Sequence, residues 1–329
     1  MTQTMHAVRL HEIAGPAGLR IDEIPIPTPA PGEVLVRIRA AALNRRDVFI
    51  TQGLYPKIVL PITLGSDGAG ELVESGDEVV IDPLLSWGSD QRVWNPETAN
   101  ILGMPHDGAF AGYVAVPSEN VYPKPLGLSM EEAAAIPLAG LTAYRALFTR
   151  GGLQQDETVL ITGVGGGVQT FVLLFAKHAG ARAIVTSSSD RKLAKAKAMG
   201  ADLGINYRTD PDWAKAVRAA GPVDLIVDST GGDTLRKALD IVRPGGRIVI
   251  YGGTNGDATI KPFPLFWKHV TILGTSMGSP ADFAAMLALF AGGLHPVVDR
   301  VFALSEAPAA AQHLLEANQF GKVVLRVDR

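Results

Sequence analysis

The chain has 329 residues, 47% of them apolar and 19% charged, with a net charge of −3 at pH 7 and no cysteine. This length accommodates two domains with separate cores; the near-neutral balance, without a basic stripe, argues against nucleic acid, and the lack of cysteine excludes disulfides, thiolate zinc sites and thiol nucleophiles. No basic segment with an apolar run behind it opens the sequence, and no window reaches the roughly 20 apolar residues of a membrane span, so a cytoplasmic protein without a membrane partner is expected.

Up to about Tyr122 the sequence reads as short strands at residues 7–10, 19–21, 33–39 and 77–81, broken by Gly and Pro. Val34, Val36 and Ile38 fall on one face at the period of a half-exposed strand, with Glu33, Arg37 and Arg39 on the other. An all-β module of barrel type is expected. The pattern changes after residues 129–132, where Ser129 and Glu132 have the spacing of a capping box that opens a helix. Strands at residues 159–162, 183–187, 224–228 and 247–251 are then spaced by helical segments such as 191–199 and 234–242. Regular alternation implies parallel strands joined by right-handed crossovers, a doubly wound sheet. Residues 270–274 read as a last strand of that sheet, 281–290 as a helix, and 322–326 as a strand returning to the first module.

The stretch most loaded with chemistry follows the first strand of the sheet. Residues 159–162 enter Gly163, Gly165, Gly166 and Gly167, and 170–177 leave as an apolar helix. Glycines let a ligand approach the backbone closely, and the first helical turn, at Gly167 and Val168, offers unpaired N–H donors at the positive end of its dipole. At this place in a doubly wound sheet a dinucleotide diphosphate is expected. At the end of the second strand, an acidic residue would select NAD through the ribose hydroxyls. Here stand Ser187 and Ser188, followed by Arg191 and Lys192, which favour the 2′-phosphate of NADP(H); Asp190 has an alternative role as a helix cap. Gly252, Gly253 and Thr254 follow the strand at 247–251, and Thr230 lies in the turn after the strand at 224–228; both turns lie at the carboxyl edge where the cofactor would run.

Ala41-Ala-Leu-Asn44, Gly53-Leu-Tyr-Pro56, residues 62–70, the glycine turn, Ile205-Asn-Tyr207 and Gly321-Lys-Val-Val-Leu325 together resemble the medium-chain dehydrogenase/reductase superfamily, and within it the zinc-independent quinone oxidoreductase branch. The resemblance covers the whole chain. It implies an α/β protein with a Rossmann dinucleotide-binding domain at residues 126–278, and a GroES-like β-barrel-type catalytic domain at 1–125 and 279–329. Two departures stand out: Gln169 replaces the final glycine of the fingerprint, and residues 70–76 shorten a surface hairpin of the barrel.

In the zinc enzymes of this superfamily the catalytic ligand positions match Asn44, Ser66 and Leu138 here, none a good ligand, and a borrowed pair of Asp67 and His106 lacks ligand spacing. The expectation is chemistry without metal. Hydride addition to a simple ketone leaves an alkoxide that needs a Lewis acid, whereas a quinone or α,β-unsaturated carbonyl spreads the charge, so modest hydrogen bonding suffices. The candidate catalytic residues are Asn44, as amide donor to the substrate carbonyl or as a loop tie; Tyr55, which resembles a pocket-lining residue of quinone oxidoreductases; and Arg46, as partner of an anionic enolate or of Asp47 at the surface. By resemblance Thr142 lies near the nicotinamide ribose and diphosphate, and Tyr207 by the adenosine 2′-phosphate. Trp87, Phe110 and Trp267 read as core. The leading expectation is an NADPH-dependent, zinc-independent reductase acting on a conjugated small molecule. The alternatives are an alcohol or aldehyde dehydrogenase with a depleted zinc site, and a non-catalytic NADPH-binding protein. The edge strand at 270–274 suggests a homodimer.

Overall fold

A computed structural model describes residues 3–328. Strands β1 (Thr4–Leu10), β2 (Leu19–Pro25) and β3 (Glu33–Leu43) lead into helix α1 (Arg45–Thr51). Then come β4 (Ile62–Thr63), β5 (Asp67–Leu72), β6 (Glu78–Ile81), β7 (Leu84–Leu85), β8 (Asn100–Ile101), β9 (Tyr113–Pro117) and β10 (Val121–Pro123). Helices α2 (Met130–Ala135) and α3 (Pro137–Tyr144) precede a regular alternation of β11 (Thr158–Ile161), α4 (Gly167–His178), β12 (Arg182–Ser187), α5 (Asp190–Ala198) and β13 (Leu203–Asn206). It continues with α6 (Trp213–Ala219), β14 (Val223–Asp228), α7 (Gly232–Ile241), β15 (Val242–Ile250), α8 (Pro262–Trp267) and β16 (Thr271–Gly274). The chain closes through α9 (Pro280–Ala291), β17 (Val298–Ala303), α10 (Ala307–Leu315) and β18 (Lys322–Arg326).

The chain divides into two compact units, one made of the residues up to Leu141 and those from Gly278 onward, the other of Thr142–Met277. The first boundary falls later than residue 125, the domain limit that the resemblance implied, because the capping box of Ser129 and Glu132 opens α2 as a helix of the first unit. There Ala133, Ala134 and Ala135 pack with Ala40 and Ala42 of β3, Ala69 of β5 and Val324 of β18. Small side chains on both surfaces let helix and sheet approach closely.

In the first unit the main sheet runs β10-β6-β5-β3-β18-β17, with β9 also pairing β3, and a smaller sheet runs β2-β1-β4. Ile38, Ile50, Leu64, Ile81, Phe110, Val323 and Leu325 are buried in one core, each such side chain contributing roughly 1.5–3 kcal/mol by leaving water. The shortened segment after Gly70 is a tight hairpin: Glu71 faces Glu78, and Gly76 N–H donates to Leu72 O at 2.8 Å.

The second unit is one six-stranded sheet of order β13-β12-β11-β14-β15-β16, and every neighbouring pair is parallel. This is the doubly wound arrangement whose order reverses beside β11, so the turn leaving β11 lies at the switch point where such sheets bind ligands. Trp87 and Phe110 are buried as expected, but Trp267 is 69% exposed: α8 buries none of its residues, and Trp267 stacks on the equally exposed Phe263 at 5.6 Å. Among the described residues no helix is long and apolar enough to cross a membrane.

Candidate active site

In the second unit the β11 turn is tied to the neighbouring strand by hydrogen bonds. Gly163 N–H donates to Thr186 Oγ1 at 3.1 Å and Val164 N–H to Thr186 O at 2.7 Å, tying the turn to the end of β12. Gly163 and Gly165 have φ of +71° and +128°, a backbone that L-residues rarely adopt. A Cβ on Gly165 would lie 2.6 Å from Lys192 Cδ and 3.3 Å from its Nζ, so the Lys192 ammonium hangs over the glycine turn. Gly166 is the N-cap of α4 and receives no side-chain cap, which leaves the amides of the first turn, at Gly167 and Val168, to an external acceptor.

Ser187 ends β12 and is buried, and its partner in the neighbouring strand is Asn206. Tyr207 follows directly, its N–H donating to Ser187 O at 3.1 Å while its ring is 42% exposed. Ser188 lies beside them, half-buried. The cap of α5 is Ser189, not Asp190: Ser189 accepts from Lys192 N, and Asp190 takes Asn206 Nδ2 at 2.8 Å instead. No acidic side chain therefore stands at the end position of β12.

The turn after β14 is built on Asp228, a role that the sequence reading missed. This fully buried carboxylate accepts from Thr162 Oγ1 and Thr230 Oγ1, both at 2.6 Å, and from Gly231 N at 2.8 Å. The turn after β15 is bonded to it in turn, with Thr254 N–H on Ser229 O at 3.4 Å and Asn255 N–H on Thr230 O at 2.7 Å. Gly252 is held close to Ser229, where a Cβ would meet Ser229 O at 2.8 Å, while Gly253 faces open space. Gln169 replaces the expected glycine without opening the turn, because its Nε2 reaches Ser229 Oγ at 2.7 Å and so links α4 to the β14 turn. Thr142 is buried in α3. The glycine cradle, the uncapped helix start and the ammonium above it fit a dinucleotide diphosphate.

In the first unit, three strand ends meet. Val323 of β18 faces Leu43 of β3, and Ala42 of β3 faces Asp67 of β5, so Lys322, Asn44 and Asp67 are brought to one spot. Lys322 Nζ donates to Asn44 Oδ1 and to Asp67 Oδ2, each at 2.7 Å; Asn44 Nδ2 donates to Asp67 Oδ2 at 2.9 Å, and Leu138 N–H to Asp67 Oδ1 at 2.8 Å. The three side chains are at most 6% exposed. Lys322 is a residue that sequence reasoning missed, having read it only as the start of a closing strand.

Next to this triad α1 carries Arg46 and Asp47, both buried rather than paired at the surface. Arg46 Nη1 donates to Ser66 Oγ and to Leu102 O, and its guanidinium lies 5.1 Å from the centre of the Tyr55 ring. Asp47 Oδ2 accepts Asn44 N–H at 2.7 Å and so closes the first turn of α1. Burial pushes the Asp47 carboxyl up to about 6, against the pull of Arg46 and of that backbone donor. Asn44 and Ser66, which the resemblance matches to zinc-ligand positions, are thus each bonded to a cationic side chain of the chain itself. Asp67 accepts from Lys322, Asn44 and Leu138, and among the described residues no cluster of three or more His, Cys, Asp or Glu is placed to hold a metal. The donor set does not fit a zinc ion.

A family model described as an alcohol dehydrogenase GroES-like domain matches residues 30–126, and one described as a zinc-binding dehydrogenase matches residues 167–292. A zinc-type alcohol dehydrogenase-like protein, YogA, of Leptosphaeria maculans is 36% identical over 94% of this chain and 94% of its own length. The human quinone oxidoreductase is 28% identical, over 98% of this chain and 97% of its own. The crystal structure of an NAD-dependent alcohol dehydrogenase superposes with a TM-score of 0.91 at 39% identity, covering 98% of this chain and 100% of that one. The two sites, the order of the parallel sheet and these matches agree: the chain belongs to the medium-chain dehydrogenase/reductase superfamily and is an oxidoreductase of it.

Proposed function

We propose that this oxidoreductase transfers hydride from NADPH to a quinone or another α,β-unsaturated carbonyl, and does so without zinc. The observation that carries the reading is the exchange of metal-ligand chemistry for cations: Asn44 is bonded to Lys322 and Ser66 to Arg46. A bound nicotinamide supplies the hydride. Gly163, Gly165, Gly166, Gly167 and Val168 would hold its diphosphate, with Lys192 as the opposing charge. Ser187 and Ser188 admit a 2′-phosphate that an acidic residue would repel.

Hydride addition to a conjugated acceptor places negative charge on an oxygen that fixed dipoles and one neighbouring cation stabilise sufficiently. Tyr55 supplies a hydroxyl for that oxygen, and Arg46 makes the surroundings favourable to an anion. Both polar ends of the Asn44 amide are engaged by Lys322 and Asp67, so Asn44 acts as a positioning residue for α1 rather than as the principal substrate donor. The partner is a small molecule; a cytoplasmic homodimer joined through the β16 edge completes the reading, and a monomer by light scattering at micromolar concentration would count against that part.

The test is steady-state kinetics with NADPH and with NADH against a panel of quinones, enones and simple alcohols, together with metal analysis. Reduction of conjugated acceptors by metal-free protein, with preference for NADPH, is expected. Oxidation of simple alcohols with stoichiometric zinc would replace this reading by an alcohol dehydrogenase, which the names of the more similar relatives favour. Tight NADPH binding with no turnover on any acceptor would make it a cofactor-binding protein.

A further inference from the structure

Arginine meets a carboxylate most completely through the edge formed by Nε and Nη2, two parallel N–H donors matched to two oxygens. Among the described residues Arg39 and Arg92 use that edge. Arg39 Nε and Nη2 hold the two carboxylate oxygens of Glu71 at 3.0 and 2.8 Å, and Arg92 does the same to Asp90, with Nε at 3.0 Å from Oδ1 and Nη2 at 2.8 Å from Oδ2. Arg46 is different. Its Nη1 is bonded to Ser66 and Leu102, but Nε and Nη2 meet no acceptor among the described residues, although both atoms are buried and the side chain is only 8% exposed. Asp47 does not serve them: its nearest approach is 4.0 Å, and to Nη1, on the other edge of the guanidinium. Buried donors of a charged group are rarely left unmatched in a native fold.

Three features place this edge in the acceptor site rather than in the structural core. Arg46 lies in the first turn of α1, two residues past its N-cap Asn44, its Nη1 is held on Ser66, and its guanidinium lies over the Tyr55 ring. That ring belongs to a turn whose Leu54 is 68% exposed and whose Gly53 has φ of +75°, although Tyr55 itself packs against the core of the first unit. We propose that the Nε and Nη2 edge of Arg46 binds a carboxylate of the substrate, which makes the preferred acceptor a conjugated carbonyl compound that is also a carboxylic acid, admitted as the Tyr55 turn moves aside. The inference rests on the reading of the chain as a conjugated-carbonyl reductase and adds the substrate class. The carboxylate serves as an anchor and is unchanged in the reaction.

The pair 3-benzoylacrylate and its methyl ester tests the idea, because the neutral ester is intrinsically the better hydride acceptor. Wild-type protein is expected to reduce the acid with kcat/KM at least tenfold above that of the ester. Arg46→Lys keeps a positive charge for Ser66 and Leu102 but has no two-pronged edge, and is expected to lower the acid-to-ester ratio at least tenfold; Arg46→Met should do the same, with thermal melts confirming that both variants fold. Calorimetric titration of 3-benzoylpropionate, which has no activated alkene to reduce, into protein saturated with the oxidised cofactor reads the anchor apart from turnover. At least tenfold tighter binding of this acid than of its methyl ester, lost in Arg46→Lys, is the expected result. Acid bound in this way with neither acrylate reduced would uphold the carboxylate site and overturn the reductase reading. Ester reduced as well as acid, with no tighter binding of the saturated acid, would overturn the carboxylate site and leave the reductase reading standing.

Discussion

Replacing Lys322 by Met tests how the acceptor site is held together. The substitution keeps most of the side-chain volume and removes one charge, leaving Asp67, which is 0% exposed, with Asn44 Nδ2 and Leu138 N–H as its hydrogen-bond donors among the described residues. Breaking a buried ion pair from one side costs roughly 3–5 kcal/mol, because the remaining charge stays desolvated. For a unit of this size that corresponds to a melting temperature lower by on the order of 10 °C. The same logic makes the second substitution corrective: in Lys322→Met with Asp67→Asn no uncompensated charge remains, and the double variant should regain more than half of the loss. Urea denaturation followed by far-UV circular dichroism, with a second probe to detect separate unfolding of the two units, measures all four corners of the cycle. Two independent losses that add in the double variant would refute the view that Lys322 and Asp67 act as one buried pair.

Asp82 gives a pH test remote from that pair. Burial pushes its carboxyl up to about 7, with Leu84 N–H at 3.1 Å opposing the shift. A raised folded-state value means that its contribution is fully present below the unfolded value of about 3.9 and is lost as pH rises through about 7. Asp82→Asn should therefore stabilise the protein at pH 8, by at most about 4 kcal/mol, and leave it nearly unchanged at pH 4; denaturant midpoints at the two pH values check this. Ser187→Asp places a carboxylate at the end of β12, beside the Tyr207 backbone. Fluorescence titration should find its preference for NADPH over NADH lowered by roughly 10- to 100-fold, with NADH affinity retained.

Much of the fold was legible because its signals are local. The alternating strands and helices of the second unit and the Ser129 capping box each follow from a few adjacent residues, whereas the short hairpin after Gly70 was read as a departure from the resembled family. Helix α1 was missed because it begins with the polar run Asn44-Arg45-Arg46-Asp47, which reads as loop until one sees that Asp47 caps it. Strand β17 was missed because Asp299 and Arg300 interrupt its apolar pattern, and Trp267 was misplaced because residue type alone does not say that α8 buries nothing. The glycine turn was legible as a strand-to-helix turn, and α4 does start there without a side-chain cap. Lys322 was not legible, since its role depends on β18 lying next to β3 and β3 next to β5, a pairing across the whole length of the chain.

The charges around Arg46 carry a further consequence for the carboxylate site. The groups acting on Asp47 are Arg46 on its own helix, the Asn44 N–H, Asp67 at the start of β5 and Lys322 of β18. With Asp47 ionised, two cations face two carboxylates and the cluster is balanced. As pH falls through about 6 Asp47 takes up a proton, and the balance turns positive. The local electrostatics then favour an anion, so 3-benzoylpropionate should bind more tightly at pH 5.5 than at pH 7.5. A unit change of charge a few ångströms away in a partly screened interior is worth about 1–2 kcal/mol, roughly tenfold in affinity. The methyl ester should show no such change. Asp47→Asn retains an oxygen to accept Asn44 N–H, so helix α1 keeps its cap while the titration is removed. Calorimetry on this variant should give the tighter affinity at both pH values. If the acid bound equally at the two pH values in the wild type, or if the ester followed the same curve, Asp47 would not be coupled to the anchor and the cluster would have to be regarded as purely structural.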